Sequence, residues 1–447
     1  TFNMRATLQK ISGMALFVGV IILLGLLSVR FNTALDWTVG GRNSLTAASE
    51  KQLASMPDPL VIRVFAYSGD PIRKSVETDL ARYTRAKDNI ELRFIDPSTN
   101  PEAVREFEIR QPGQIVIEYQ GRRETLAGTT EPMITTALQR LAYGGEQWVV
   151  FVRGHGERSI EDDQDQGALS IYAAILRDKG LKVQSLSLVD TPEIPDNTSV
   201  LVLASPEKDY LPGEIALIQA YVENGGNLLW LTDPDVPTGL APLAEQVGLA
   251  WLDGYAIFPE YQLLGTGHPG FFVSLSYPQN PVTQGFDQVT LFPLARALAL
   301  SPPQDWTHQA LLVTSEAAWL ETGDISGGTV ALDDADIPGP LTIGATLTRR
   351  LGEGEAARTQ RLAFIGDSDF LSNAHISELG NQAFALNLAQ WLASRDAQLN
   401  IDVPKAPDTV ITLGPTASWV ISIGFVAVLP LLLLGFGVTR WLLRRRR

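Results

Sequence analysis

The last apolar run of the chain, residues 419–438, contains no Asp, Glu, Lys, Arg, His, Asn or Gln. At about 1.5 Å per residue a helix over this run spans roughly 30 Å, the hydrocarbon thickness of a bilayer. A chain carrying such a run is constrained to place one end at a membrane. Pro430 lies inside it, which a membrane helix tolerates better than a soluble one. Arg440 and the run 444–447 of four arginines follow. Positive charge collects on the cytoplasmic side, so the C-terminus reads as cytoplasmic, with Trp419 and Trp441 near the two interfaces.

Residues 11–29 form a second apolar run, flanked by Arg5, Lys10 and Arg30. A cleaved signal peptide is the rival reading. Its apolar part is shorter as a rule and ends in a small-x-small site. This run ends Leu27-Ser28-Val29-Arg30, so an uncleaved anchor is expected. Both ends then face the cytoplasm, and residues 31–418 lie outside, in the periplasm of a bacterial inner membrane. Ala15 and Gly19 make a small-xxx-small pair where another helix can approach closely.

Charge divides the same way. Residues 1–30 and 419–447 hold eight basic side chains and no acidic one, which leaves the middle with 27 Lys and Arg against 50 Asp and Glu, a net of −23. An acidic body is repelled by nucleic acid, so no nucleic-acid partner is expected. The chain has no Cys, which excludes disulfides, thiol nucleophiles and cysteine metal sites. No cofactor is expected.

The external part reads as two α/β domains. In residues 31–145 a short helix over 47–56 precedes a β-branched strand at 60–66. A helix follows from Pro71 to about Lys87, then a strand at 90–95, a hairpin turning at Gln120-Gly121, and a helix over 131–143. This order is that of a thioredoxin-like layout without its redox cysteines. In residues 146–400, continuous apolar strands at 148–152, 199–204 and 227–231 alternate with helices over 168–179 and 212–224, which predicts a doubly wound parallel sheet. Residues 252–343 are rich in Gly, Pro and short β-prone pieces and read as a β-rich insertion. A buried strand resumes at 361–365, a helix over 381–393 closes the domain, and 401–418 is a linker to the membrane run.

Several short pieces occur in a fixed order along the chain: Ser44-Leu45-Thr46 with Ser49; Ile95-Asp96-Pro97; Thr130-Glu131 with Thr135-Thr136-Ala137-Leu138; Gly154-His155-Gly156-Glu157; Val222 with Gly225-Gly226; and Gly366-Asp367-Ser368-Asp369-Phe370 with Asn373 and Asn387. Together with the flanking membrane runs, this set resembles the auxiliary component of gliding-motility-type ABC transporters, a family that also underlies a domain of intraflagellar-transport proteins. The resemblance implies a large periplasmic domain with a class I glutamine-amidotransferase-like fold. It also implies a partner permease with several membrane helices and a cytoplasmic ABC ATPase. The chain's own residues agree on energy supply: no Gly is followed by Lys, so the phosphate-wrapping loop of an ATPase is missing. A non-catalytic accessory subunit is therefore expected, touching the lipid bilayer, its transporter partners and a periplasmic protein or glycan. The alternative is a ligand-binding receptor or a degenerate amidotransferase-fold hydrolase.

Two loops are candidate sites. Gly154-His155-Gly156-Glu157 follows a buried strand, at the edge where parallel sheets bind ligands. His155 and Glu157 fit either a tight loop in which they satisfy backbone groups or a pocket capable of acid–base work. Asp367 and Asp369, spaced i, i+2 after another buried strand, fit either a shared divalent cation or a capped turn, with Asn373 helping. If the sheet is doubly wound, both loops open on one edge.

Overall fold

The computed structural model describes residues 44–237, 239–327, 330–401 and 428–445, together with Val20. The first sheet has four strands, β1 (Leu60–Phe65), β2 (Ile90–Ile95), β3 (Ile115–Tyr119) and β4 (Arg122–Leu126), in the order β2-β1-β3-β4. β1 runs parallel to β2 and antiparallel to β3, and β4 completes the hairpin. Period-two alternation puts Leu60, Ile62 and Val64 on one face. They pack there against Leu80 and Tyr83 of helix α2 (Pro71–Ala86) and Ile134 and Leu138 of helix α4 (Glu131–Ala142). Phe65 and Val116 pack on the opposite face with Phe107, which follows the short helix α3 (Pro101–Glu106). The Asp70 carboxylate accepts the Ile72 N–H at 2.9 Å and Pro71 occupies the first turn, which together start α2. Helix α1 (Ala47–Ala54) is tied to α4 by polar contacts. Glu131 Oε1 accepts from the Thr46 backbone N–H and hydroxyl, both at 2.8 Å, and Ser49 Oγ lies 2.7 Å from Thr135 Oγ1. The arrangement is mixed α/β, with the element order β-α-β-α-β-β-α.

In the larger region the chain order is β5 (Trp148–Val152), α5 (Ser170–Asp178), β6 (Lys182–Leu186), β7 (Thr198–Ala204), α6 (Pro212–Glu223), β8 (Leu228–Leu231) and α7 (Ala241–Val247). Short pieces follow: β9 (Leu249–Trp251), β10 (Tyr255–Ile257), α8 (Tyr261–Leu264), β11 (Phe271–Ser274), β12 (Thr290–Pro293), β13 (Leu298–Leu300), β14 (Thr307–Val313), β15 (Trp319–Glu321) and β16 (Ile337–Pro338). Then come β17 (Thr342–Leu351), β18 (Arg358–Ile365) and α9 (Asn381–Leu392). A seven-stranded sheet orders them β14-β17-β18-β8-β7-β5-β6. From β18 to β6 all pairings are parallel, while β17 pairs antiparallel with both β18 and β14. Both faces are covered. Val149, Phe151, Val202, Leu229 and Leu231 pack with Tyr172 of α5 and Phe384 of α9. The alternate residues Val150, Val152, Leu201, Leu203 and Trp230 pack with Ile218 of α6 and Leu243 of α7. This two-sided burial is why the strands read as unbroken apolar runs.

The β-rich region, residues 252–343, is partly continuous with the main sheet. β10, β15 and β16 make a small sheet, and β9–β13 and β11–β12 are two-stranded ribbons. β14, however, extends the main sheet through β17. The two α/β regions have separate cores, yet the described residues from 44 to 401 group as one compact unit. Lys179 Nζ donates to Gln139 Oε1 at 2.9 Å, Arg140 to the Asp178 carbonyl at 2.8 Å, and Gln139 to the Ile401 carbonyl at 3.2 Å. The boundary near residue 146 is thus a change of sheet across a polar seam.

The second unit contains α10 (Leu429–Arg445), a 17-residue helix whose Leu431, Leu434 and Phe436 are about two-thirds exposed. It continues the apolar run into the arginine tail. Among the described residues no helix is long and apolar enough to cross a membrane. The first part of the 419–438 run, and the 11–29 run apart from Val20, with Ala15 and Gly19, lie outside the described residues.

Candidate functional site at the carboxyl edge of the sheet

The parallel strands lie in the order β6-β5-β7-β8-β18, so the winding reverses between β5 and β7. In doubly wound sheets the crevice beyond the carboxyl ends of such a pair is where ligands bind. Here the chain fills that crevice with its own side chains. Gly154 and Gly156 both have positive φ, 117° and 82°. A Cβ on Gly156 would stand 2.8 Å from Cβ of Glu207, so glycine there lets the loops after β5 and β7 touch. The His155 carbonyl accepts the N–H groups of Glu207 (2.8 Å) and Lys208 (3.0 Å). Its ring stacks on Tyr210 with centroids 4.2 Å apart.

Two carboxylates hold that ring. His155 Nε2 is 3.0 Å from Glu214 Oε2 and Nδ1 is 3.5 Å from Glu157 Oε1. Glu157 Oε2 accepts the His155 N–H at 2.6 Å, and Oε1 accepts the Tyr210 hydroxyl at 2.5 Å. Glu214 Oε2 also accepts the Leu211 N–H at 2.9 Å, at the start of α6. The side chains of His155, Glu157 and Glu214 are 9%, 1% and 4% exposed. Burial first, and then the Glu157 charge, pushes the Tyr210 hydroxyl well above its ordinary pKa, so it stays a donor. Nε2 faces Glu214, and Nδ1 is left without a hydrogen-bond partner.

Beside this cluster lies a second one. Asp233 follows β8, and Asp367 and Asp369 follow β18; one carboxylate oxygen from each lies within 4.8 Å of the others. In number and spacing these three could hold a divalent cation. They already surround one positive group, the guanidinium of Arg158. Its Nη2 is 2.5 Å from Asp369 Oδ1 and 3.3 Å from Asp233 Oδ2; Nε donates to Ser368 Oγ at 2.6 Å and Nη1 to the Gly167 carbonyl at 2.7 Å. Asp233 also accepts the Ser368 N–H at 2.7 Å. Asp367 is fully buried and caps the turn, accepting the N–H groups of Phe370 (3.0 Å) and Asp369 (3.3 Å). Burial, with Asp233 and Asp369 adding to it, raises Asp367 well above the ordinary carboxylate range. Asp369 is raised too, chiefly by burial and against the pull of Arg158. Burial works against the charge on Arg158, but Asp233, Asp369 and Asp367 outweigh it and hold its pKa above the usual value.

His155 and Glu157 therefore meet as a pair, Asp367 and Asp369 meet as another, and both lie on one edge. Arg158 joins the two loops. Asn373 stands apart: its Oδ1 accepts the Ile171 N–H at 3.0 Å in the first turn of α5, and its Nδ2 donates to the Asp165 carbonyl at 2.9 Å. It fixes the start of a different helix from the turn that precedes it. Sequence reasoning missed Arg158, Tyr210, Glu214 and Asp233. The signal for Arg158 was its place directly after Glu157, and for Asp233 its place directly after a buried strand.

The geometry defines a doubly wound α/β protein whose ligand edge is closed by internal ion pairs. Residues 146–252 match the model of a family described as ABC-type uncharacterized transport system. This match supports an auxiliary, ABC transport-related component. Residues 40–127 match a model described only as a domain of unknown function. No curated protein matches the chain. Among solved structures, the chain is similar to the mmIFT52 N-terminal domain at 16% identity, covering 55% of this chain and 97% of that one, with a TM-score of 0.38. It is similar to Fasciola hepatica thioredoxin at 13% identity, covering 20% and 86%, TM-score 0.17. It is also similar to the germline-specific Drosophila melanogaster thioredoxin Deadhead at 22% identity, covering 20% and 89%, TM-score 0.17.

Proposed function

We propose that the chain is a non-catalytic accessory subunit of an ABC-2-type, gliding-motility-like transporter. It is held in a bacterial inner membrane by the 11–29 and 419–438 runs, with its acidic α/β body in the periplasm. The partners are a multi-helix permease and a cytoplasmic ATPase. Permease motion passes through the two membrane runs to the body, which gates or hands over cargo to a periplasmic protein or glycan. The observation that carries the non-catalytic reading is the placement of Arg158. Its guanidinium occupies the space among Asp233, Ser368 and Asp369, so the groups a hydrolase or receptor would turn toward a ligand are spent on one another.

A photoreactive residue placed at Leu431, Leu434 or Phe436 in cells tests the permease contact. Cross-linking to a polytopic membrane protein from at least one of these positions is the expected result. Cross-links to lipid alone from all three would sink it.

A further inference from the structure

After α9 the chain forms a strap, residues 396–401. It turns at Ser394 and runs back beside the helix, with φ of 60° at Ser394 and 59° at Asn400 marking a sharp bend at each end. The strap is fastened to the larger region. Asp396 Oδ2 accepts from Arg361 of β18 at 2.9 Å. Asn387 of α9 accepts the Asn400 N–H at 2.8 Å and donates to Asn400 Oδ1 at 2.7 Å. Asn400 Nδ2 donates to the Gln284 carbonyl at 2.8 Å, and Leu399 packs on the core of the same region. The first region reaches the strap from its own side chains. Lys51 Nζ of α1 donates to the Leu399 carbonyl, and Gln139 Nε2 of α4 donates to the Ile401 carbonyl at 3.2 Å. Tyr143, just after α4, lies beside Gln398, which is 2% exposed.

The rest of the seam is polar. None of the apolar clusters among the described residues mixes side chains of the two regions. Besides the hydrogen bonds of Lys179 and Arg140, the Arg395 guanidinium stands 4.6 Å from the centroid of the Tyr143 ring. Two regions joined by polar contacts move against each other unless something fastens them. We infer that residues 396–401 are that fastening, a latch that stays on the larger region and releases the first region at Lys51 and Gln139, so that the first region turns about the seam. The latch lies where both chain ends lead. α1 is the first described helix after the 11–29 run, and Ile401 continues through 402–418 into the 419–438 run. A pull on the latch from these runs rests on the transport reading; the latch itself does not.

The test is thiol labelling of the full-length protein in detergent. The chain has no Cys, so an introduced thiol is the only one. Gln398→Cys reports opening at the strap. Ala137→Cys and Ala363→Cys, both fully buried in the separate cores of the two regions, report unfolding of each. When closing is faster than the reagent, the labelling rate follows the open fraction. Lys51→Met keeps the side-chain stem and removes the donor to Leu399. Gln139→Glu keeps Oε1 for Lys179 and removes the donor to Ile401. Each should speed labelling at Gln398→Cys about tenfold, and the pair more than either, with the rates at Ala137→Cys and Ala363→Cys unchanged. Unchanged tryptophan fluorescence checks that each variant is folded. Wild-type labelling at Gln398→Cys in the pair, or an equal acceleration at the two core positions, would overturn the inference. Neither outcome depends on a transporter partner, so the latch fails or stands apart from the transport reading.

Discussion

Replacing Arg158 with Met removes the guanidinium paired with the Asp233 and Asp369 carboxylates while keeping a long apolar stem. The Asp233 and Asp369 side chains are 15% and 29% exposed and Asp367 is fully buried. Breaking a buried ion pair by deleting one partner costs about 3–5 kcal/mol. Water reaching Asp369 offsets part of this, so about 3 kcal/mol is expected at pH 7.5. Denaturant unfolding of the protein in detergent, followed by tryptophan fluorescence, reads this loss; Trp230 in β8 is fully buried and reports on the sheet. The loss should also depend on pH. Asp367 and Asp369 have raised values in the folded state. The folded protein therefore binds their protons more tightly than the unfolded chain does. Their contribution to stability rises as pH falls through the raised folded values and is complete near the ordinary carboxylate range, about 4. Without Arg158 both groups move higher still, so the variant gains more on acidification than wild type. Its deficit should shrink from about 3 to below about 1 kcal/mol between pH 7.5 and pH 5. A deficit under about 1 kcal/mol at pH 7.5, or one equal at both pH values, would refute this reasoning.

Three further outcomes follow from the same edge. Asn373→Ala removes the acceptor for the Ile171 N–H, so it should cost about 1 kcal/mol and speed hydrogen exchange at the start of α5 while leaving α9 protected. Gly366→Ala would put a Cβ 1.8 Å from the Arg296 carbonyl oxygen, a backbone contact that cannot give way. It should cost about 4 kcal/mol or more and show as loss of folded protein in a melt. Tyr210→Phe leaves Glu157 Oε1 without its hydroxyl donor and should cost about 1–3 kcal/mol, read by denaturant unfolding.

Legibility in the sequence followed burial. Trp148–Val152 and Leu228–Leu231 were readable because both of their faces are covered, which forces unbroken apolar runs. The start of α2 was readable because Pro71 marks it locally. β17 was not, since Thr342–Leu351 mixes Gly, Thr and Arg with its apolar residues and pairs antiparallel within a parallel sheet. The loops after β5 and β18 were readable as candidates because glycines and carboxylates end buried strands there. Their closure was not. Arg158 meets Asp369 across 211 residues, and a lone Arg after a charged loop reads as solvated. Asn373 looked like a helper to Asp367, but the tertiary fold brings it to α5 instead. Glu214 sits in the first turn of α6, where a glutamate needs no further partner; its second role toward His155 depends on the contact between the loops after β5 and β7.

The measurement to make is ATP hydrolysis in material captured from native membranes through this chain in mild detergent, with the co-eluting proteins identified by mass spectrometry. The chain has no phosphate-wrapping loop of its own. The accessory-subunit reading predicts ATPase activity that elutes at a fixed ratio with a P-loop protein and a multi-helix permease. The chain eluting alone, without ATP hydrolysis in several detergents, would contradict it.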